Sequence, residues 1–355
     1  MAQGGFVSPC TVCVLTDVMP QRRRAAASVV WSYPFKPAGN PYTSLFCDAL
    51  ASGGWQVREY VLGATRTEQL PEVLHVHWPE QAFAGRGPLS SRVKRALFLR
   101  DLRQVRRSGG RVIWTAHNVV PHDGGRRVRE AFRRFVDHVD GVVHLSKTGK
   151  AAVEATYPRI QGLPNVVVPH GDLAVAYRPP ADQQSSRDRL GLPRGATVIA
   201  HFGRDRSYKG VATLVASFLG GESESAVLIL AGYRRAVSHP RVIVLPGFLD
   251  SDTLVNVIAA ADLLVFPFDK ILHSGSVLLA LGLQRPVLAP CLGSMRELQD
   301  EIGADWLRLY TPPLTPSTLE AAADWATRRR EHAPCVSPLS WQEIAQHASS
   351  IYRAS

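Results

Sequence analysis

The chain has 355 residues, 45% of them apolar, and a net charge of +11, which is comfortable for two hydrophobic cores and ordinary for a globular protein. No apolar stretch is long enough to span a membrane as a helix. The positive excess is mostly arginine and admits anionic partners, whether nucleotide phosphates, acidic lipid surfaces or nucleic acid, without choosing among them.

The opening "MAQGGFVSPCTVCVLTDVMPQRRR" has no early basic region ahead of an apolar core. It does not read as a signal peptide, and a cytoplasmic location is the expectation. Residues 1–24 read as an irregular extension. Cys10 and Cys13 form a C-x-x-C pair, but no second pair or histidine pair completes a zinc site, so they read as idle thiols.

The first strand is "ASVVWSY", ending at Tyr33. A Pro/Gly/Asn loop, "PFKPAGNPY", leads to the helix "TSLFCDALASGG", closed by glycine. Strands "WQVREYV" and "EVLHVHW" follow, then a long helix from Ser90 to Arg107, ended by "SGG". The strand "RVIWTAHN", the helix "RRVREAFRRFVDHV" and the strand "GVVHLS" complete this half. The polar, Pro-rich run "VPHGDLAVAYRPPADQQSSRDRLGLPRGA" breaks the alternation and reads as a linker. Strands then resume with "TVIAHFG", "AVLILAG", "RVIVLPG", "ADLLVFPF" and "RPVLAP". The last segment, "SPLSWQEIAQHASSIYRAS", is an amphipathic helix that either half accommodates.

Strands rich in Val and Ile, alternating with helices, predict an α/β chain with two Rossmann-like, doubly wound parallel sheets. The expected units are 25–172 and 191–337, with a linker at 173–190 and a final helix at 338–355. Ligands of such sheets bind outside the carboxyl ends of the strands, so the cleft between the units is the predicted site.

Two loops of the second unit suit an anion. In "HFGRDRSYKG", Arg204, Arg206 and Lys209 sit between a strand and a helix, where guanidinium forks and an ammonium meet the positive end of a helix dipole. In "HSGSVLLALG", Ser274, Gly275 and Ser276 open a helix with small residues, so a phosphate can approach the backbone amides. Together they suggest a clamp for a diphosphate. A solvated charged turn and a plain serine N-cap are the simpler readings of each loop. No P-loop and no G-x-G-x-x-G is present, which speaks against a nucleoside triphosphatase or a dehydrogenase.

In the first unit, "HVHWPE" and "WTAHNVVPHDGG" end strands with His75, His77, Glu80, His117, His122 and Asp123. Asp123, Glu80 and His117 are the candidate general bases. His75 and His77 lie within the strand pattern and read as core, and no ligand spacing supports a metal. The helices at 90–107 and 126–138 carry many arginines interleaved with Val93, Leu97, Leu102, Val128, Phe132 and Phe135. One face is expected toward the sheet and one toward solvent or an anionic membrane surface.

The two-unit plan, "FGRDRSYKG" and "ADLLVFPFDKILHSGSVLLALGLQRPVLAPCLGSMREL" resemble the GT-B glycosyltransferases of the broad group that includes family 4. "NPYTSLF", "LHVHWPE", "WTAHNVVPHD" and "VVPHGD" resemble, more narrowly, bacterial glycolipid mannosyltransferases that use GDP-mannose. The resemblance implies sugar transfer from a nucleotide-sugar, GDP-mannose favoured, to a lipid-linked or polysaccharide-precursor acceptor, with no cofactor and no essential metal. It implies that Lys209 with Arg204 or Arg206 neutralises the diphosphate, that Ser274 to Ser276 add backbone donors, and that Gly39 and Asn40 approach the donor. It also implies that the final helix crosses back to the first unit.

The sequence departs from the retaining pattern, which has two glutamates where Ile271 and Leu279 stand here. That favours an inverting enzyme, with Asp123 first and Glu80 second as base. A soluble acceptor, a non-catalytic protein of the same fold and a nucleic-acid-binding protein are the alternatives. The last lacks every expected module signature, so nucleic acid is not an expected partner.

Overall fold

The computed structural model describes residues 28–37, 39–66, 69–83, 85, 87–121 and 125–353. The expected extension at 1–24, the Cys10/Cys13 pair, His122 and Asp123 lie outside the described residues.

The first half runs β1 (Val29–Tyr33), α1 (Tyr42–Ser52), β2 (Gln56–Glu59), β3 (Val73–Val76), α2 (Pro88–Arg107), β4 (Arg111–Ala116), α3 (Arg126–Val136), β5 (Gly141–His144), α4 (Lys147–Thr156) and β6 (Asn165–Val167). Helix α5 (Gln183–Arg189) follows. The second half runs β7 (Thr197–Phe202), α6 (Val211–Leu219), β8 (Ala226–Ala231), β9 (Val242–Leu245), α7 (Ser251–Ala260), β10 (Leu263–Val265), α8 (Gly275–Gly282), β11 (Val287–Pro290), α9 (Met295–Ile302), β12 (Leu307–Tyr310) and α10 (Pro316–Ala326). Helix α11 (Trp341–Ser349) closes the chain.

Among the described residues the strands form two six-stranded sheets, ordered β2-β1-β3-β4-β5-β6 and β12-β11-β10-β7-β8-β9. Every pairing is parallel. Side chains alternate across each strand, so Val30 and Trp31 enter different apolar clusters, as do Ile113 and Trp114. Strands β3 and β8 are buried at every residue, as a parallel sheet covered on both faces requires. The order reverses between β1 and β3 in the first sheet and between β7 and β10 in the second. Such a reversal opens a crevice at the carboxyl ends of the strands.

One apolar cluster joins the halves. It runs from Val30 and Ile113 through Leu173, Trp341 and Ile344 to Val198 and Val277. Helix α11 packs on α1 of the first sheet's layer, with Trp341 Nε1 donating to Asp172 O at 2.9 Å. Two details differ from the sequence reading. The expected linker contains α5, whose Arg187 pairs with Asp262 at 2.7 Å and so docks that helix on the second unit. Val93, expected toward the sheet, is 50% exposed, and the buried stripe of α2 is Phe98, Leu99, Asp101, Leu102 and Val105.

Candidate active site

The two reversal points carry the quoted motifs. Gly39 and Asn40 follow β1, His77 to Glu80 follow β3, Gly203 to Lys209 follow β7, and the loop into α8 follows β10. His117 follows β4 in the same row.

In the second unit the basic turn is built around Lys209. The residue is buried, on a short 3-10 turn, Ser207–Lys209, that ends at Gly210. Gly210 has φ +63°, and a side chain there would run into Pro267 O, so glycine lets the β7 and β10 loops close on one another. The same two loops are tied by Asp269 N donating to Tyr208 O at 2.8 Å. Lys209 Nζ lies against the Cα of Gly203, which has φ +127°, and a Cβ on Gly203 would sit 3.7 Å from Ser276 Oγ. The two halves of the expected clamp therefore meet in space. Among the described residues no carboxylate pairs with Lys209. Burial, then the charges of Arg206 and Arg204, pull its ammonium down to about 8. Both arginines are exposed, and both act on the lysine.

Ser274 is buried, and its Oγ accepts from Val277 N at 3.3 Å, so the serine caps α8. The amides of the first turn of α8 have no partner within the helix, as at every helix start. Leu279 is buried in the core and Ile271 packs against it.

In the first unit Asn40 Oδ1 accepts from Tyr42 N at 3.1 Å and so starts α1. Gly39 has φ +75°, and a Cβ there would lie 2.6 Å from the ring of Phe248, which the second unit presents at 70% exposure. Glu80 is half-buried on the turn Pro79–Ala82. With burial, its charge pushes Tyr33 up to about 12.

His75 and His77 are core residues, as expected, and stack with ring centroids 4.5 Å apart. His75 contacts Thr115 Oγ1 at 2.7 Å and Tyr352 OH at 2.5 Å. His117 is buried too, with Trp78 stacked on it at 4.1 Å and His77 Nδ1 3.4 Å from its Nε2. Burial, followed by neighbouring imidazoles, holds His117 well below the usual histidine range, so its ring is neutral at pH 7.

Several contributors escaped the sequence reading. Tyr42 is fully buried among His77, His117, His170, Trp78 and Trp341. Its hydroxyl has no partner among the described residues. His273 and Glu297 reach from the second unit to Ser146 and to the amides of Lys147 and Thr148. A cavity of about 40 Å³ lies behind this contact, lined by His170, His273, Ser274 and Glu297 among others. The one available signal was position, since these residues follow strands. Among the described residues no cluster of His, Cys, Asp and Glu is arranged to hold a metal.

Two parallel sheets whose order-reversal loops meet in one cleft, with the last helix returned to the first unit, are the GT-B architecture. The chain has this fold and is a glycosyltransferase, as its motifs implied. A relative from Xanthomonas campestris pv. campestris, a GDP-mannose:glycolipid 4-beta-D-mannosyltransferase, is 28% identical over 349 residues, spanning 92% of this chain and 93% of its own. Among solved structures, Anabaena HepE in complex with UDP-glucose superposes with TM-score 0.62 and 15% identity, over 92% of this chain and 97% of its own. WaaG, a glycosyltransferase involved in lipopolysaccharide biosynthesis, superposes with TM-score 0.61 and 14% identity, over 92% of this chain and all of its own. No family model matches the chain.

Proposed function

We propose that the chain transfers mannose from GDP-mannose to a hydroxyl of a lipid-linked glycan, with inversion and without a metal or cofactor. The observation that carries the reading is Lys209: a buried cation with no carboxylate partner among the described residues, set against Gly203 and Ser276 at the order reversal of the second sheet. A buried charge is costly unless it meets an opposite one, and a diphosphate supplies it. The sugar and acceptor follow the name of the Xanthomonas relative.

In this reading the acceptor oxygen attacks the anomeric carbon as the bond from that carbon to the phosphate oxygen breaks. The electron pair leaves with the diphosphate. Lys209, Arg204 or Arg206, and the amides of Gly275 and Ser276 stabilise that charge where it develops. Gly39 and Asn40 close on the donor from the first unit. The acceptor proton passes to Asp123, Glu80 or His117.

The basic outer faces of α2 and α3 hold the enzyme on an anionic membrane surface from the cytoplasmic side, where Leu89 and Val93 add exposed apolar contact. Among the described residues no helix is long and apolar enough to cross a membrane.

A thermal-shift screen against GDP, UDP, ADP and TDP, followed by mannosyl transfer to a glycolipid acceptor, tests the proposal. Stabilisation by GDP and transfer are expected. Stabilisation by another nucleotide alone would move the donor assignment.

A further inference from the structure

The polar contact between the units centres on the first turn of α4. Ser146 Oγ accepts from Gly149 N at 2.8 Å, so its own proton is available to donate, and it lies 2.8 Å from His273 Nε2. His273 Nδ1 lies 3.2 Å from the main-chain oxygen of His117, which can only accept. These contacts select one tautomer: Nδ1 carries the proton, and Nε2 receives the one from Ser146. Burial holds His273 down at about 4, so the neutral ring is the species present at pH 7.

Gly149 makes the socket. A Cβ there would lie 2.8 Å from His273 Cε1 and 2.9 Å from Nε2. On the other side the loop that carries His273 is anchored, because Leu272 O accepts from Ser294 N at 3.0 Å and from Ser294 Oγ at 2.6 Å. Glu297 adds a second link, accepting from Lys147 N at 2.7 Å and Thr148 N at 2.8 Å, where the dipole of α4 favours an anion.

We infer that His273 is a positioning residue for the transfer reaction. It directly precedes Ser274, the cap of α8, and it holds the carbonyl of His117 without an intermediary. Seated between Ser146 and Gly149, it sets the distance between the α8 amides on the donor side and the His117 loop on the acceptor side. A shift of about 1 Å between such groups costs on the order of 100-fold in rate. The inference rests on the transfer reading of the cleft.

The test compares wild type with Gly149→Ala, Ser146→Ala, His273→Ala and His273→Asn. The asparagine retains a donor near the Nδ1 position. In Gly149→Ala and His273→Ala, kcat is expected to fall by about 10- to 100-fold while GDP affinity stays within about twofold. Ser146→Ala is expected to fall in the same direction, and His273→Asn to recover part of the loss. Amide exchange at residues 146–150 and 272–276 should quicken together in the alanine variants of Gly149 and His273.

The inference is overturned if kcat is unchanged in these two variants, or if GDP affinity and melting temperature fall in step with kcat, which marks a purely structural contact. A wild-type chain that neither binds GDP nor transfers mannose refutes the transfer reading instead. The exchange comparison then still decides whether His273 couples the two loops.

Discussion

The ammonium of Lys209 occupies the space that a side chain on Gly203 would need. Alanine at Gly203 therefore displaces the lysine and also strains a φ of +127°, at a cost of about 1–3 kcal/mol. Steady-state transfer assays should show Gly203→Ala and Lys209→Ala each losing about 100- to 1,000-fold in turnover, the range for removing one preorganised donor to a developing charge. Near-normal rates in Lys209→Ala would remove the phosphate role from this residue.

Lys209 also sets a pH dependence. Its ammonium titrates at about 8 in the unliganded protein because of burial and the neighbouring arginines. A bound diphosphate favours the charged form and raises that value, so above pH 8 binding must take up a proton. Calorimetric titration of GDP should show Kd weakening by up to about tenfold per pH unit above that point. A Kd that stays flat from pH 7 to 9.5 contradicts the assignment.

Among the described residues the imidazoles of the buried His75, His77, His117, His144 and His201 and of the half-buried His170 and His273 are held below the usual histidine value, chiefly by desolvation. In the unfolded chain they bind protons as pH falls below about 6.5, while in the fold they resist. Stability is thus fully present above that value and is lost as pH falls toward the folded values, about 3 for His75, His170 and His201 and about 4 for His144 and His273. Each contributes about 1.4 kcal/mol per pH unit across that window. Melting curves should fall steeply from pH 6.5 to 5, and a flat profile would contradict the burial of the cluster.

Asp101 has a structural role. Its carboxylate is fully buried and accepts from Tyr60 OH at 2.8 Å, Gly63 N at 2.7 Å and Thr65 Oγ1 at 2.7 Å, with Arg100 at 2.6 Å. Asp101→Ala leaves these donors without an acceptor and should cost about 3–5 kcal/mol in denaturant unfolding. Leucine at the neighbouring exposed Arg103 serves as a control with little effect.

For the base, Asp123→Asn should lower kcat by about 100- to 10,000-fold with GDP affinity retained. Full activity would move the role to Glu80 or His117, and the same assay on Glu80→Gln separates those two.

Most of the fold was legible because its signals are local. The runs "TVIAHF" and "AVLILA" are apolar enough to be strands buried on both faces, and glycine and proline punctuate the helices. Strands β6 and β12 are not legible in the sequence, being three and four residues long, only partly buried and with little periodicity to detect. Helix α5 hid in a polar, Pro-rich stretch because its hold on the second unit is an ion pair to Asp262 rather than an apolar stripe.

The chemistry divides along the same line. Adjacent residues were enough to mark "GRDRSYKG" and "HSGS" as anion loops, since charge, glycine and strand end lie within one turn of chain. Their meeting at Gly203 depends on β7 and β10 lying side by side, though sixty or more residues apart in the chain. The contacts of Ser146 with His273 and of Lys147 with Glu297 span 127 and 150 residues. No pattern along the chain encodes such a separation. It is decided by how the two sheets, joined by one shared apolar cluster, bring the first turn of α4 against the loop into α8 and against α9.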